Sequence, residues 1–318
     1  HVRIKPSAAV ANCQPNWLDE QQRDAIIAAC EKILAGEYIE QFVVDRFQAG
    51  AGTSHNMNSN EVIANLANVA LGGDKGQYDQ VHPNDHVNMG QSTNDTIPTA
   101  IRLAVLVKLP RLLAAVTSMA GQYQRIADAE VDTVKTARTH LQDAVPTTVG
   151  REFGGYGWIL LRCAKRLQET HAQLCETGLG GSAAGTGLNT SPGYIENVAA
   201  ELATLTGEPI CVASNLAGQM QSMTDLQQLS NAIRQLALEV TRISNDMRLL
   251  ASGPRTGLGE IQLPAVQPGS SIMPGKINPV MFEMLNQTAY QVLGQDAAVA
   301  MMMQAGQLEL NVMMPAMG

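Results

Sequence analysis

The sequence predicts an all-α fold, a subunit of a long-helix bundle, and three observations carry that expectation. Ala, Leu, Met and Gln are abundant, aromatic residues make up 4% of the 318 positions, and the apolar–polar alternation of strands is hard to find. Apolar residues recur at alternating spacings of three and four over unusually long stretches. The segments between them, around 50–60, 82–96, 137–148, 178–193 and 252–279, are rich in Gly, Ser, Thr, Asn and Pro and read as loops at the helix ends.

Taken in order, a helix is expected from about Pro98 to Ala129. Its Pro110 removes one ladder hydrogen bond and should kink it near Val107. Val149, Phe153, Tyr156, Leu160, Cys163, Leu167, Thr170 and Leu174 then define one helix of about seven turns. Leu226, Leu229, Ile233, Leu236, Val240, Ile243, Met247 and Leu250 form an unbroken coiled-coil-type seam, expected to pack against the same helix of another subunit. Thirty-residue helices span roughly 45 Å, and seams of this length left bare would exceed the apolar patch a monomer tolerates. The expected division is 1–97 as the remainder of an N-terminal helical domain and 98–318 as the central long-helix domain, with a lid loop near 265–280.

A formal net charge of −8 and the lack of any Lys/Arg-rich run argue against a nucleic-acid partner. A small anion remains compatible, because it responds to local cations and helix N-termini. The five cysteines are odd in number, and none forms a C-x-x-C pair or a metal-ligand cluster with histidine. They read as buried thiols in a reducing, cytoplasmic compartment, with no metal and no cofactor expected. No apolar run approaches membrane-spanning length on this reading, and no signal peptide is visible, although the chain does not begin with Met.

Four loops carry candidate chemistry. "AGAGTSHNMNSNEV" (49–62) sets the hydroxyls of Thr53 and Ser54 beside glycines, with Asn56, Asn58 and Asn60 following; ordinary helix capping is the alternative. "HPNDHVNMGQSTNDTIPTA" (82–100) places Ser92, Thr93 and Asn94 at a helix mouth, a reasonable carboxylate cradle that a capping turn accounts for only in part. "ARTHLQDAVPTTVG" (137–150) offers His140, which spacing alone does not distinguish from a structural histidine. "GSSIMPGKINPVMFE" (269–283) concentrates two serines, two prolines, two glycines and Lys276 in fifteen positions, a catalytic loop or a connector.

Together "GTSHNMNSNEV", "HPNDHVNMGQSTND", "RTHLQDAVP", "GTGLNT" and "GSSIMPGKINP" resemble the ordered blocks of the aspartase/fumarase superfamily, over nearly the whole chain from about Ile26 to Pro315. The resemblance implies a homotetramer around a twenty-helix bundle, with each active site assembled from three subunits and a small dicarboxylate as substrate. It implies that Ser270, on a mobile lid, is the general base that removes a proton beside a carboxylate. Lys276 and Asn278 then meet the charge that develops, a need the chemistry imposes independently. By the same resemblance Thr53, Ser54, Ser92, Thr93 and Asn94 hold the substrate carboxylates and its amino or hydroxyl group. Thr139 and His140 face the substrate, Glu283 partners His140, and His82, Asn84 and Asp85 form a secondary anion segment.

Ser54, Thr93 and "AGQLELNVMMP" (305–315) favour the ammonia-eliminating branch over class II fumarase, the alternative. A non-catalytic assembly of the same fold, as in lens crystallins, is the reading of a different class. Two departures stand out: Phe282 for the usual proline before Glu283, and Ala137 for the usual glycine before Arg138. Family chains also begin earlier and extend further, so the sequence reads as truncated at both ends, without the small C-terminal domain.

Overall fold

A computed structural model describes residues 1–318 and contains ten α-helices with two small two-stranded sheets. The helices are α1 (Ile4–Asn12), α2 (Glu20–Leu34), α3 (Thr53–Ala70), α4 (Thr93–Ala129), α5 (Val149–Glu169), α6 (His171–Leu174), α7 (Tyr194–Thr206), α8 (Leu216–Gln221), α9 (Thr224–Leu250) and α10 (Val280–Gln304). The strands are β1 (Val134–Thr139) and β2 (Gln142–Thr148), which pair antiparallel, and β3 (Glu176–Thr177) and β4 (Cys211–Val212), which pair parallel.

Two compact units organise the chain. The first comprises His1–Lys108, Thr170–Gln227 and Val299–Gly318; the second comprises Leu109–Glu169 and Gln228–Ala298. The units interleave along the sequence, whereas the sequence reading sets one boundary at residue 97.

In the first unit, α2 begins with a reciprocal cap: Asp19 accepts from the Gln22 N–H while the Gln22 side chain accepts from the Asp19 N–H. Ile26, Ala29, Cys30 and Ile33 of α2 then pack with Ile63, Ala64 and Ala67 of α3 in one buried cluster. Arg102 is fully buried and donates twice to Asp225, at 2.6 and 2.9 Å, a planar fork that satisfies most of a charge otherwise costly to enclose.

In the second unit, Phe153 and Tyr156 of α5 meet Tyr123 of α4 in tilted and edge-to-face contacts, with ring centroids 5.6–5.9 Å apart. The Tyr156 hydroxyl donates to Asp246 of α9 at 3.1 Å. Asp296 of α10 is buried and accepts from Ser230 at 2.6 Å and Arg234 at 3.1 Å, which ties α10 to α9.

Several expectations change. α4 starts at Thr93, five residues before Pro98, and runs unbroken through Pro110. Its most apolar window has a mean hydropathy of 1.6, so one helix is long and apolar enough to cross a membrane by length and composition, contrary to the expectation that no such run exists. The seven-turn helix ends at Glu169; Thr170 separates it from α6, although the predicted stripe stays buried through Leu174. Most of the α9 seam, including Leu229, Leu236, Val240, Ile243 and Met247, is already buried within one chain, so it is not free to face another subunit. Residues 137–148, expected as loop, belong to the β1–β2 hairpin, which begins at Val134. Lys135 inside it bridges Glu152 and Glu260, both at 2.6 Å, and Arg138 pairs with Glu260 as well.

Candidate active site

The candidate residues fall into two sets, one in each unit. In the first unit, Gly52 has φ +92, and a Cβ there would press into the Ile97 side chain, so the turn into α3 requires glycine. Thr53 opens α3 with its hydroxyl donating to Gly50 O at 2.8 Å, and the Ser54 side chain is exposed beside it. Three residues on, the buried Asn56 donates to the Thr93 hydroxyl oxygen at 3.4 Å and so brings the N-termini of α3 and α4 together. With its oxygen accepting from Asn56, Thr93 keeps its own O–H for a ligand.

Ser92 caps α4. Its N–H donates to Asp95 Oδ1 at 3.0 Å, and its hydroxyl accepts from the Asn94 N–H at 3.2 Å. The second Asp95 oxygen accepts from the N–H groups of Gly180 and Ser182, at 3.1 and 3.0 Å, while Asn94 donates to Ala183 O at 2.8 Å. The glycine-rich loop containing "GTGLNT" is thereby fastened to the mouth of α4.

Beneath this cradle lies a residue that the sequence reading missed. Lys5 of α1 is fully buried and donates to Asn56 at 2.9 Å, Asn88 at 3.2 Å and Gln91 at 2.9 Å. Burial pushes the lysine down to about 7, opposed by Asp95. Burial pushes Asp95 up to about 7, opposed by its three backbone donors and by Lys5. Three acceptor oxygens around one nitrogen match the charged ammonium, whose three hydrogens each find a partner. The signals were a lone lysine in the apolar stretch "IKPSAAVAN" and an aspartate three residues after a capping serine.

His82, Asn84 and Asp85 form a wide turn in which His82 Nδ1 accepts from the N–H groups of Asn84 and Asp85, at 3.3 and 3.2 Å. The same nitrogen lies 3.3 Å from Asp85 Oδ2. The His82 side chain thereby caps the turn that carries Asn84 and Asp85.

In the second unit, the Ser270 hydroxyl oxygen accepts from the N–H groups of Ile272 and Met273, at 3.2 and 3.1 Å. Two N–H dipoles aimed at one oxygen favour its ionised form, which is what a serine base needs. Gly269 permits this loop, since a Cβ there would overlap the Lys276 carbonyl oxygen, and Asn278 closes it by donating to Gly269 O at 2.6 Å. Lys276 and Asn278 line a cavity of about 690 Å³ with Arg248 and Ser252.

Thr139 and His140 stand exposed at the tip of the β1–β2 hairpin, whose two-residue turn is His140–Leu141, with φ of 57° and 63°. Positive φ at two side-chain-bearing positions is strain of the kind that collects at functional sites. Ala137 lies at the β-bulge between Thr136 and Arg138. Glu283 stands in the first turn of α10, which follows Pro279 and passes through Phe282 without a break. The expected His140–Glu283 hydrogen bond is not formed within the chain.

A mainly helical chain that carries both a serine loop and an asparagine-and-hydroxyl cradle has the features of an elimination enzyme for small carboxylates. Residues 2–294 match the family described as Lyase, and the chain belongs to that family. It is 46% identical to an aspartate ammonia-lyase of Bacillus subtilis over 98% of its length and 66% of the relative's. It is 45% identical to an aspartate ammonia-lyase of Escherichia coli, over 100% of its own length and 66% of that protein's. A Brucella melitensis fumarate lyase:delta crystallin bound to cobalt matches 99% of this chain and 69% of its own, with a TM-score of 0.97 at 46% identity. The class II fumarase of Schistosoma mansoni matches the same shares with a TM-score of 0.96 at 36% identity. The chain thus spans about two thirds of the length of these relatives.

Proposed function

We propose that the chain is a carbon–nitrogen lyase that eliminates ammonia reversibly from L-aspartate to give fumarate. The observation that carries the reading is identity of 44–47% to aspartate ammonia-lyases over nearly the whole chain, against 36% to the class II fumarase. In this reading Ser270 takes the proton from the carbon beside the distal carboxylate. The C–H electron pair moves into that carboxylate to give the aci-carboxylate dianion, and Lys276 and Asn278 meet the added charge. The dianion collapses to the double bond and expels ammonia from the neighbouring carbon. Thr53, Ser54, Ser92, Thr93 and Asn94 hold the carboxylates and the amino group, with Thr139 and His140 over the substrate and Glu283 orienting His140.

The two sets of residues meet in an assembly of several chains, a homotetramer in this proposal. Support comes from α10, an apolar helix of which only Asn286, Ala289 and Asp296 are buried, and from α4, whose apolar window is 28% buried. These helices, in place of the α9 seam, are the surfaces that other subunits cover. The compartment is the cytoplasm in this reading, in keeping with five free thiols.

The test is turnover by the purified chain, followed as ultraviolet absorbance of the conjugated product. Aspartate should give fumarate and ammonia in equal amounts, with little reaction from malate. Faster turnover of malate would replace the reading with the fumarase one, and no turnover of either by a well-folded tetramer would favour a structural assembly. A stable monomer by light scattering would remove the shared site.

A further inference from the structure

Away from the candidate active site, the first unit gathers His171, Cys175 and Glu208, with one ligand atom from each lying within 4.8 Å of the others. The fold thus sets a cysteine beside a histidine, a grouping not expected from the sequence. His171 opens α6 and Cys175 follows its last residue, so a spacing of four puts both on one face of a single turn. Glu208 comes just after Gly207, which ends α7 in the left-handed region at φ 71°. His171 Nε2 lies 2.8 Å from Glu208 Oε2, and Nδ1 lies 3.9 Å from Cys175 Sγ. Three residues after Glu208, Cys211 begins β4 opposite Glu176 and donates its N–H to Cys175 O at 3.0 Å, which ties the two segments together.

We propose that His171, Cys175 and Glu208, with Cys211 as the fourth ligand, form a binding site for a thiophilic divalent cation of the Zn²⁺ or Co²⁺ class. One imidazole nitrogen, one carboxylate oxygen and two sulfurs are a donor set for tetrahedral coordination of such ions, and an unsuitable one for Mg²⁺ or Ca²⁺, which select oxygen. The sequence form, His-x₃-Cys followed by Glu-x₂-Cys, has the short paired spacings of metal sites, with glutamate where a cysteine or histidine is more familiar. A plain His171–Glu208 ion pair accounts for two of the residues. It does not account for a 2%-exposed thiol facing the other ring nitrogen.

Ligand atoms around a tetrahedral ion at 2.0–2.3 Å stand roughly 3.3–3.8 Å apart, so a shift of about an ångström closes the present group on an ion. The half-exposed His171 and Glu208 side chains and the exposed Cys211 leave a path from solvent. Each thiol that binds does so as thiolate and gives its proton to water, so affinity rises with pH.

The site also has a position of consequence. Cys175 leads directly into β3, whose Thr177 hydroxyl lies 2.7 Å from that of Thr99 on α4 and accepts from the Leu179 N–H. The next residues, Gly180 and Ser182, hold Asp95. A bound ion would brace the segment that fastens the glycine-rich loop to the mouth of α4.

The test is a titration of the chelator-treated full chain with Co²⁺. One equivalent should bind and give the thiolate-to-cobalt charge-transfer absorption. Zn²⁺ should displace it and raise the unfolding temperature, while Mg²⁺ does neither. Cys175→Ser, His171→Gln and Glu208→Gln should each weaken binding at least tenfold, with circular dichroism verifying the fold; the two half-exposed positions guard against loss of structure in Cys175→Ser. Cys211→Ser should weaken binding and reduce the absorption. Lack of the band in the native chain would overturn the site, as would a band that survives Cys175→Ser, since the metal would then rest on the exposed Cys211 alone. An unchanged band in Cys211→Ser would remove Cys211 as the fourth ligand.

Discussion

The cradle of the first unit stands on groups that are buried and bonded, whereas the residues proposed as reactive in the second stand on exposed segments with few bonds. Ser92, Thr93 and Asn94 rest on Asp95, Asn56 and Lys5, and each of those makes several hydrogen bonds in the interior. Ser270 and His140 sit on a loop and a hairpin tip, held mainly by backbone geometry: two N–H groups at the serine, two left-handed residues at the turn. The difference matches the work proposed for each set. A carboxylate-holding surface gains from donors fixed before the ligand arrives, while a base on a lid has to close and open.

The comparison can be broken most directly at Ser270. Ser270→Ala should lower kcat by on the order of a thousandfold or more, while carboxylate inhibitors still bind the cradle. Ser271→Ala shares the loop but not the two N–H contacts, and it should lose far less. Equal losses would assign the loop to positioning and leave His140 as the next base to test.

The complementary break lies under the cradle. Lys5→Met leaves the side-chain oxygens of Asn56 and Gln91 without their donor, Asn88 with the Asn56 amide alone, and Asp95 without its cation, so it should destabilise the chain by about 3 kcal/mol. KM should rise with it, since Asn56 would no longer be held against Thr93. Unfolding in denaturant and steady-state kinetics read the two effects. A change within about 0.5 kcal/mol would mean that the buried lysine is not what fixes the cradle.

These two sites also differ in how legible they were. Long helices announce themselves because burial on one face imposes a 3.6-residue period, and the block "GSSIMPGKINP" marked its loop because only a particular backbone needs that many glycines and prolines. Lys5 did not announce itself: a lysine in a short apolar helix looks like a solvated end until tertiary structure surrounds it with three amide oxygens. The hairpin was missed for a related reason. Lys135 and Arg138 are held by Glu260, more than a hundred residues away, and local propensity does not register a pairing of that range. The cluster at His171 joins two segments whose cysteines lie 36 positions apart, brought together by a two-residue strand pair too short to show alternation.

A smaller effect tests how the exposed set is anchored. Burial pushes the Glu260 carboxyl up, but hydrogen bonds from Lys135 and Arg138 outweigh it and hold the group below its ordinary 4.5. Because the folded value is depressed, the stabilisation is fully present above 4.5 and is lost as pH falls through the folded value. Protection of the β1 and β2 amides, taken relative to their intrinsic exchange rates, should therefore fall as the pH drops below 4.5, before the buried contacts of the first unit open. Simultaneous loss of protection in both units would show that the hairpin has no separate anchor.

The smallest expected effect concerns the strained tip. Leu141 sits at φ 63° with its side chain 71% exposed, so it carries backbone strain without packing that would justify a leucine. Glycine occupies that region freely, but it also gains entropy in the unfolded chain, and the two nearly offset. Leu141→Gly should therefore stabilise the hairpin by no more than about 0.5 kcal/mol. Catalysis is the more telling readout. If the strained turn only connects two strands, kcat stays unchanged. If it holds His140 over the substrate, a glycine neighbour loosens that histidine, and kcat falls several-fold while KM for the carboxylates, set in the other unit, stays where it was. His140→Asn, which keeps a residue tolerant of positive φ, separates the ring from the turn: a loss in both variants assigns the role to the imidazole held by that turn, and a loss in neither removes the hairpin tip from the active site.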